Sequence, residues 1–129
     1  MAQKNPILGY PKDLTISRTI TPIHVDGMLD EMEWQKLIKA NHFAEHFPYH
    51  TSLARQQTEI RLCFDDNYLY IEATCFQPQR YTVQTLKRDL LDGMSDLFTV
   101  NLDPFGDHLN GLYFTVGPYG VLKDKSIMD

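Results

Sequence analysis

Five stretches of this chain alternate apolar and polar residues, a period of two that fits half-buried β-strands. Thr58-Glu-Ile-Arg-Leu-Cys-Phe64 puts Ile60, Leu62 and Phe64 on one face, and Leu69, Ile71 and Ala73 alternate in the run that follows. Joining the two through Asp65-Asp-Asn-Tyr68 sets Phe64 against Leu69, Leu62 against Ile71 and Ile60 against Ala73, so both apolar sets share a face. A second pair, residues 96–103 and 112–117, sets Phe98, Val100 and Leu102 to face Leu112, Phe114 and Val116 across an oxygen-rich loop.

The first register decides how the two cysteines are read. It places Cys63 opposite Tyr70, on the other face from Cys75 and about five positions away at roughly 3.3 Å per residue, far beyond bridging distance. Free thiols are expected, and cysteine usage then says nothing about the redox compartment.

The rest of the chain is less regular. Residues 14–20 alternate and predict a strand; residues 23–27 predict a short strand ending in a turn. Residues 29–38 have helical spacing through Leu29, Met32 and Leu37, with Trp34 on the apolar side. Asp30, Glu31 and Glu33 fall in the first turns and Lys36 and Lys39 near the end, as the helix dipole favours. Residues 41–57 show no period, Pro48 interrupts any helix there, and a wandering surface segment is expected. Residues 82–86 are a further candidate strand. Val121-Leu122 begins what could be another, and the sequence then turns to Lys123-Asp-Lys-Ser without one. Short strands with turn residues between them predict an all-β chain: a sandwich of antiparallel strands with one short helix, as a single domain over residues 1–129.

Composition excludes some functions. A net charge of -5 lacks the basic surface that nucleic acid demands, and no apolar run nears the roughly 20 residues that span a membrane. The first residues, Met1-Ala-Gln-Lys4, lack the apolar core of a signal peptide, which fits a cytosolic chain or one whose signal has been removed. The serines lie in no nucleophile elbow and no phosphate loop is present, so no enzyme is expected.

Several segments, in order, resemble the family 9 carbohydrate-binding-module-like domain found at the N-terminus of secreted bacterial proteins, some of which end in a predicted β-barrel. They are Ile23-His-Val-Asp-Gly-Met-Leu-Asp-Glu-Met-Glu-Trp34, Thr58-Glu-Ile-Arg-Leu62, Asp65-Asp-Asn-Tyr-Leu-Tyr-Ile71, Arg88-Asp89, Asp96-Leu-Phe98, and Leu102-Asp-Pro-Phe-Gly-Asp-His-Leu-Asn-Gly111, which leads to Phe114-Thr-Val116 and Pro118-Tyr-Gly120. The resemblance implies a β-sandwich, a glycan or polysaccharide partner, downstream domains on the same polypeptide and an extracytoplasmic location. Family domains continue with closing strands, so it also implies a longer polypeptide or an open edge. Xylanase-linked members clamp sugar between two tryptophans; the single Trp34 here is better placed for core packing.

Four constellations could carry chemistry. Tyr68, Tyr70 and Phe76 fall on the side of their hairpin away from the expected core, where aromatics either stack on sugar or pack beneath a second layer. Arg88 and Asp89, with Asp92 and Asp96, either hydrogen-bond sugar hydroxyls or form a salt-bridged loop in which Arg88 pairs with Asp96. Asp103, Asp107 and Asn110 offer the hard oxygens calcium prefers, and the resemblance supports calcium as the cofactor. They lack EF-hand spacing, however, and Asp and Asn equally cap their own backbone amides in hairpin loops. His42, His46 and His50 are spaced for zinc on a helix that Pro48 would break. The leading function is a non-catalytic carbohydrate-binding module. The alternatives are a structural domain packed on a downstream β-barrel, a calcium-binding sandwich, or a haem-binding relative. Met28, Met32 and Met94 count against haem, because they fall in turn or helix segments.

Overall fold

The alternating stretches become sheets. The computed structural model describes residues 13–45, 52–80, 82–83, 86 and 95–128. It is mostly β and divides into two compact units, Met1–Gln77 and Pro78–Asp129, each built on one three-stranded sheet.

In the first unit the strands are β1 (Ser17–Arg18), β2 (Thr58–Phe64) and β3 (Leu69–Cys75), in the order β1-β2-β3. The β2–β3 register pairs Ile60 with Ala73, Leu62 with Ile71 and Phe64 with Leu69, as the alternation predicts. Cys63 pairs with Tyr70 and Cys75 with Thr58, so the cysteines sit on opposite faces and both are free. Asp65 closes the hairpin. Its Oδ1 accepts the amides of Asn67 and Tyr68 at 2.7 and 2.8 Å, and its own amide donates to the Tyr68 carbonyl.

The other side of β2 is occupied as well. β1 runs parallel to it, where the sequence suggests only antiparallel pairing, and Ala40 exchanges two backbone hydrogen bonds with Ile60 at 2.8 and 2.9 Å. The predicted strand over 14–20 shrinks to two paired residues, because only Ser17 and Arg18 lie alongside β2. Residues 23–27 form no ladder. They end in a turn in which Gly27 takes φ +82°, a conformation glycine adopts without steric cost. Within 41–57, Ala44 forms an isolated antiparallel bridge with Leu53, a pairing that no period signals.

Helix α1 (Met32–Lys36) is shorter than the spacing predicts and buries one residue, Trp34, while Met32 stays 71% exposed. Its anchor is Glu31. One carboxylate oxygen accepts the His24 amide at 2.8 Å and the other accepts the Trp34 indole N–H at 3.0 Å; the His24 amide first, then Glu31's own, hold the carboxyl below its ordinary range.

The second unit contains β4 (Phe98–Leu102), β5 (Gly111–Val116) and β6 (Leu122–Ile127), an antiparallel meander in that order. Phe98, Val100 and Leu102 pair with Val116, Phe114 and Leu112, as predicted. β6 corrects the sequence reading, which sees no strand after Leu122. Lys123, Asp124 and Lys125 hide the period, yet the segment pairs with β5 along its whole length. Of the candidate strand at 82–86, Thr82, Val83 and Leu86 are described and lie in no strand; Thr82 instead exchanges backbone and side-chain hydrogen bonds with Asp96.

Burial is the larger surprise. In the first sheet the fully buried residues are Cys63 and Glu72, on the face opposite the alternating apolar set; in the second it is Thr115 that is buried, while Leu112, Phe114, Val116 and Leu122 remain exposed. Alternation therefore fixes which residues share a face, yet the most buried residue of β2, β3 and β5 lies on the other one, while in β4 the apolar set is the less exposed.

Candidate functional site

At the turn end of the first hairpin, aromatic rings and charges come together. Tyr68 and Tyr70 are two residues apart on β3 and its lead-in, which puts them on one side of the strand. Their ring centroids are 6.0 Å apart at 59°, the tilted arrangement aromatic pairs prefer. Tyr68 is 66% exposed, so a ring face is open to solvent. Tyr70 is held in place because its hydroxyl donates to Asp65 Oδ2 at 2.7 Å.

That bond has an electrostatic signature. Phenolate beside the Asp65 carboxylate is unfavourable, so the Tyr70 hydroxyl is pushed up to about 12, first by this hydrogen bond and then by burial. Asp65 is held below its ordinary value, chiefly by the Asn67 amide and then by the Tyr70 hydroxyl. Next to it the Arg18 guanidinium donates to the Asp66 carboxylate, with both side chains half or more exposed. The corner therefore combines an open aromatic face with a cation and a carboxylate, whose hydrogen-bonding groups remain within reach of solvent. Arg18, Asp65 and Asp66 are absent from the sequence-derived set, because only the β1–β2 pairing brings Arg18 alongside Phe64 and the turn.

Phe76 does not join this corner. It follows the far end of β3, roughly 20 Å from Tyr70 at about 3.3 Å per residue, with its amide bonded to Gln57. Arg88, Asp89 and Asp92 lie outside the described residues, as do His46 and His50. Asp96 spends a carboxylate oxygen on the Thr82 amide at 2.7 Å. His42 stands outside any helix, in the left-handed region at φ 58°.

Behind the tyrosines a charged ladder crosses the sheet. Arg61 sits opposite Glu72 and donates to it at 2.8 Å; Thr74 donates to the other Glu72 oxygen at 2.6 Å. Glu59 lies 3.8 Å from Arg61 and takes Lys39 at 2.5 Å. The Glu72 side chain is wholly buried, so each of its oxygens needs the partner it has. Glu33 of α1 reaches the same face: burial and then the charges of Glu33 and Asp65 push the Cys63 thiol up, which makes it a poor nucleophile. The sequence register already sets Arg61 against Glu72, so this pair is readable as a cross-strand ion pair.

The loop between β4 and β5 is organised by its own backbone. Asp103 accepts the amides of Gly106, Asp107 and His108 at 2.7, 3.3 and 3.0 Å. Asp107 accepts those of Leu109 and Asn110 at 2.9 and 2.8 Å, plus the Asn110 side-chain amide at 2.6 Å. These bonds hold both carboxyls below their ordinary range, through the His108 amide first for Asp103 and the Asn110 amide first for Asp107. The geometry is that of turn capping, with Asp103, Asp107 and Asn110 brought together as the spacing suggests. Among the described residues no group of three or more His, Cys, Asp or Glu side chains is placed to hold a metal.

No helix among the described residues is long and apolar enough to cross a membrane. No family model, curated protein or solved structure matches this chain.

Proposed function

We propose that the protein is a non-catalytic glycan-binding module whose contact surface is the Tyr68–Tyr70 corner. The observation that carries this reading is the exposed Tyr68 ring beside an anchored Tyr70, next to the exposed Arg18–Asp66 pair. A sugar ring has an apolar C–H face that covers an aromatic ring and an equatorial rim of hydroxyls that needs donors and acceptors. The corner supplies both kinds of contact where β1 meets the turn of the β2–β3 hairpin. Burial of Cys63 and Glu72 supports a binding role over chemistry, since the nucleophile and the carboxylate best shielded from water both serve packing. The family resemblance carried in order by residues 23–34, 58–62, 65–71, 88–89, 96–98, 102–111, 114–116 and 118–120 points the same way and suggests an extracytoplasmic setting.

A glycan-array screen followed by calorimetric titration tests the reading. Tyr68→Ala should abolish binding to any hit while leaving the melting temperature unchanged, because the ring is largely in solvent. Arg18→Ala should weaken it. Retention of full affinity in Tyr68→Ala would move the contact surface elsewhere, and silence across the array would overturn the glycan reading.

A further inference from the structure

The three-stranded order leaves β3 at the sheet edge, and the backbone bonding on β2 shows which β3 groups point outward. Ile60 bonds to Ala40 and the Phe64 carbonyl to Thr19, so the backbone of these residues is turned away from β3. The hydrogen-bonded pairs of the hairpin are then Glu59–Thr74, Arg61–Glu72 and Cys63–Tyr70, flanked by the Gln57–Phe76 and Asp65–Tyr68 bonds. It follows that Leu69, Ile71, Ala73 and Cys75 aim their amides and carbonyls at the outer edge, where no strand among the described residues pairs with them. Among the described residues nothing pairs with this edge, and its one charge, Glu72, points inward. The edge carries no proline, lysine or bulge, whereas β6 carries Lys123, Asp124 and Lys125.

We infer that β3 pairs with β3 of a second copy of this chain, antiparallel and with Ala73 against Ala73 on the two-fold axis. Self-complementarity selects that register. Centring the pair on Glu72 would set two buried carboxylates face to face, a like-charge contact that destabilises. Centring it on Ala73 sets Glu72 against Thr74 of the second copy, a carboxylate against a hydroxyl, and puts the smallest side chain of the strand on the axis. It also sets Tyr70 against Phe76 of the second copy. Those two residues then form a non-hydrogen-bonded pair, the type in which opposed side chains lie closest. The exposed Phe76, stranded at the wrong end of its own hairpin, would thereby join the Tyr68–Tyr70 corner of its neighbour. The pairing itself does not rest on the glycan reading.

Analytical ultracentrifugation of the 129-residue chain without sugar tests it first, with a dimer expected. Ala73→Pro removes the outward amide at the axis and spares the β2–β3 ladder. It should weaken association about tenfold or more, two hydrogen bonds being lost per dimer, with the circular dichroism unchanged. Ala73→Cys in a Cys75→Ser background should form a cross-linked dimer with oxidised glutathione. Hydrogen-bonded pairs hold their Cα atoms about 5.5 Å apart, within the roughly 4.4–6.8 Å that a disulfide spans. Should Ala73→Pro fail to fold, the cysteine variant decides alone. A monomer at every concentration, a dimer indifferent to Ala73→Pro, or no cross-linked dimer from the Ala73→Cys, Cys75→Ser chain would overturn the proposal.

Discussion

The two sheets solve the same problem differently. Each is three-stranded, each has a hairpin organised by aspartate, and each carries an alternating apolar face that is half-buried or exposed and nowhere fully buried. The first, however, buries Cys63 on its polar face and fills that face with a charged ladder in which Glu72 is wholly enclosed. The second has no helix among its described residues, and its polar face buries only Thr115, which shares a 2.9 Å hydroxyl bond with Thr99. The difference teaches that a polar face becomes a core when every buried oxygen finds a partner.

That contrast can be broken or sharpened by mutation. The largest effect is expected from Trp34→Ala, which should destabilise by about 3–5 kcal/mol in denaturant melts followed by circular dichroism, the range for removing a buried aromatic. Glycan affinity per folded molecule should not change. Glu72→Ala comes next at about 2–3 kcal/mol. Breaking a buried ion pair costs more than that, but Arg61 keeps a route to water. Thr115→Val in the second sheet should cost only about 1 kcal/mol, the worth of one neutral hydrogen bond. Equal losses at Glu72 and Thr115 would erase the distinction between the sheets.

Two further measurements probe the turns. Tyr70 should ionise at about 12, above its ordinary 10.0, and an absorbance titration should resolve it from the other tyrosines. Because its folded value is raised, its contribution to stability is whole below pH 10 and is lost as pH climbs toward 12. Asp65→Asn should return it toward 10. On the acid side the signs reverse. Asp65, Asp103 and Asp107 are lowered from 3.8, so their contributions hold above that pH and fade as it falls. The smallest effect is expected from calcium. With Asp103 and Asp107 already accepting backbone amides, EDTA and added calcium should leave the melting temperature unchanged. A rise with calcium that Asp107→Ala removes would make the loop a metal site.

Much of this architecture was legible before any coordinates. Ile60, Leu62 and Phe64 against Ala73, Ile71 and Leu69 is a register that alternation and turn length determine together, and the separation of Cys63 from Cys75 follows from it. β6 was hidden because Lys123, Asp124 and Lys125 erase the apolar period that marks a strand, and backbone pairing with β5 carries the segment instead. The truncation of α1 was hidden because Glu31, Trp34 and His24 fix the helix start through contacts that spacing does not encode. At the candidate site, Tyr68 and Tyr70 could be read as companions from their spacing alone. Phe76 could not be separated from them without the length of β3, nor Arg18 added without the parallel β1–β2 contact.

The ladder of Glu59, Arg61, Glu72 and Thr74 also serves as an error check during folding. A strand can slip by two residues and still keep each side chain on its proper face, so apolar alternation does not penalise such a mistake. The charges do. Slipped one way, Glu59 meets Glu72 and two carboxylates are pressed together; slipped the other way, Glu72 meets Cys63 and the enclosed anion loses its cation. Only the native alignment brings Arg61 opposite Glu72, so a hairpin out of register by two residues carries an electrostatic cost that the native one does not.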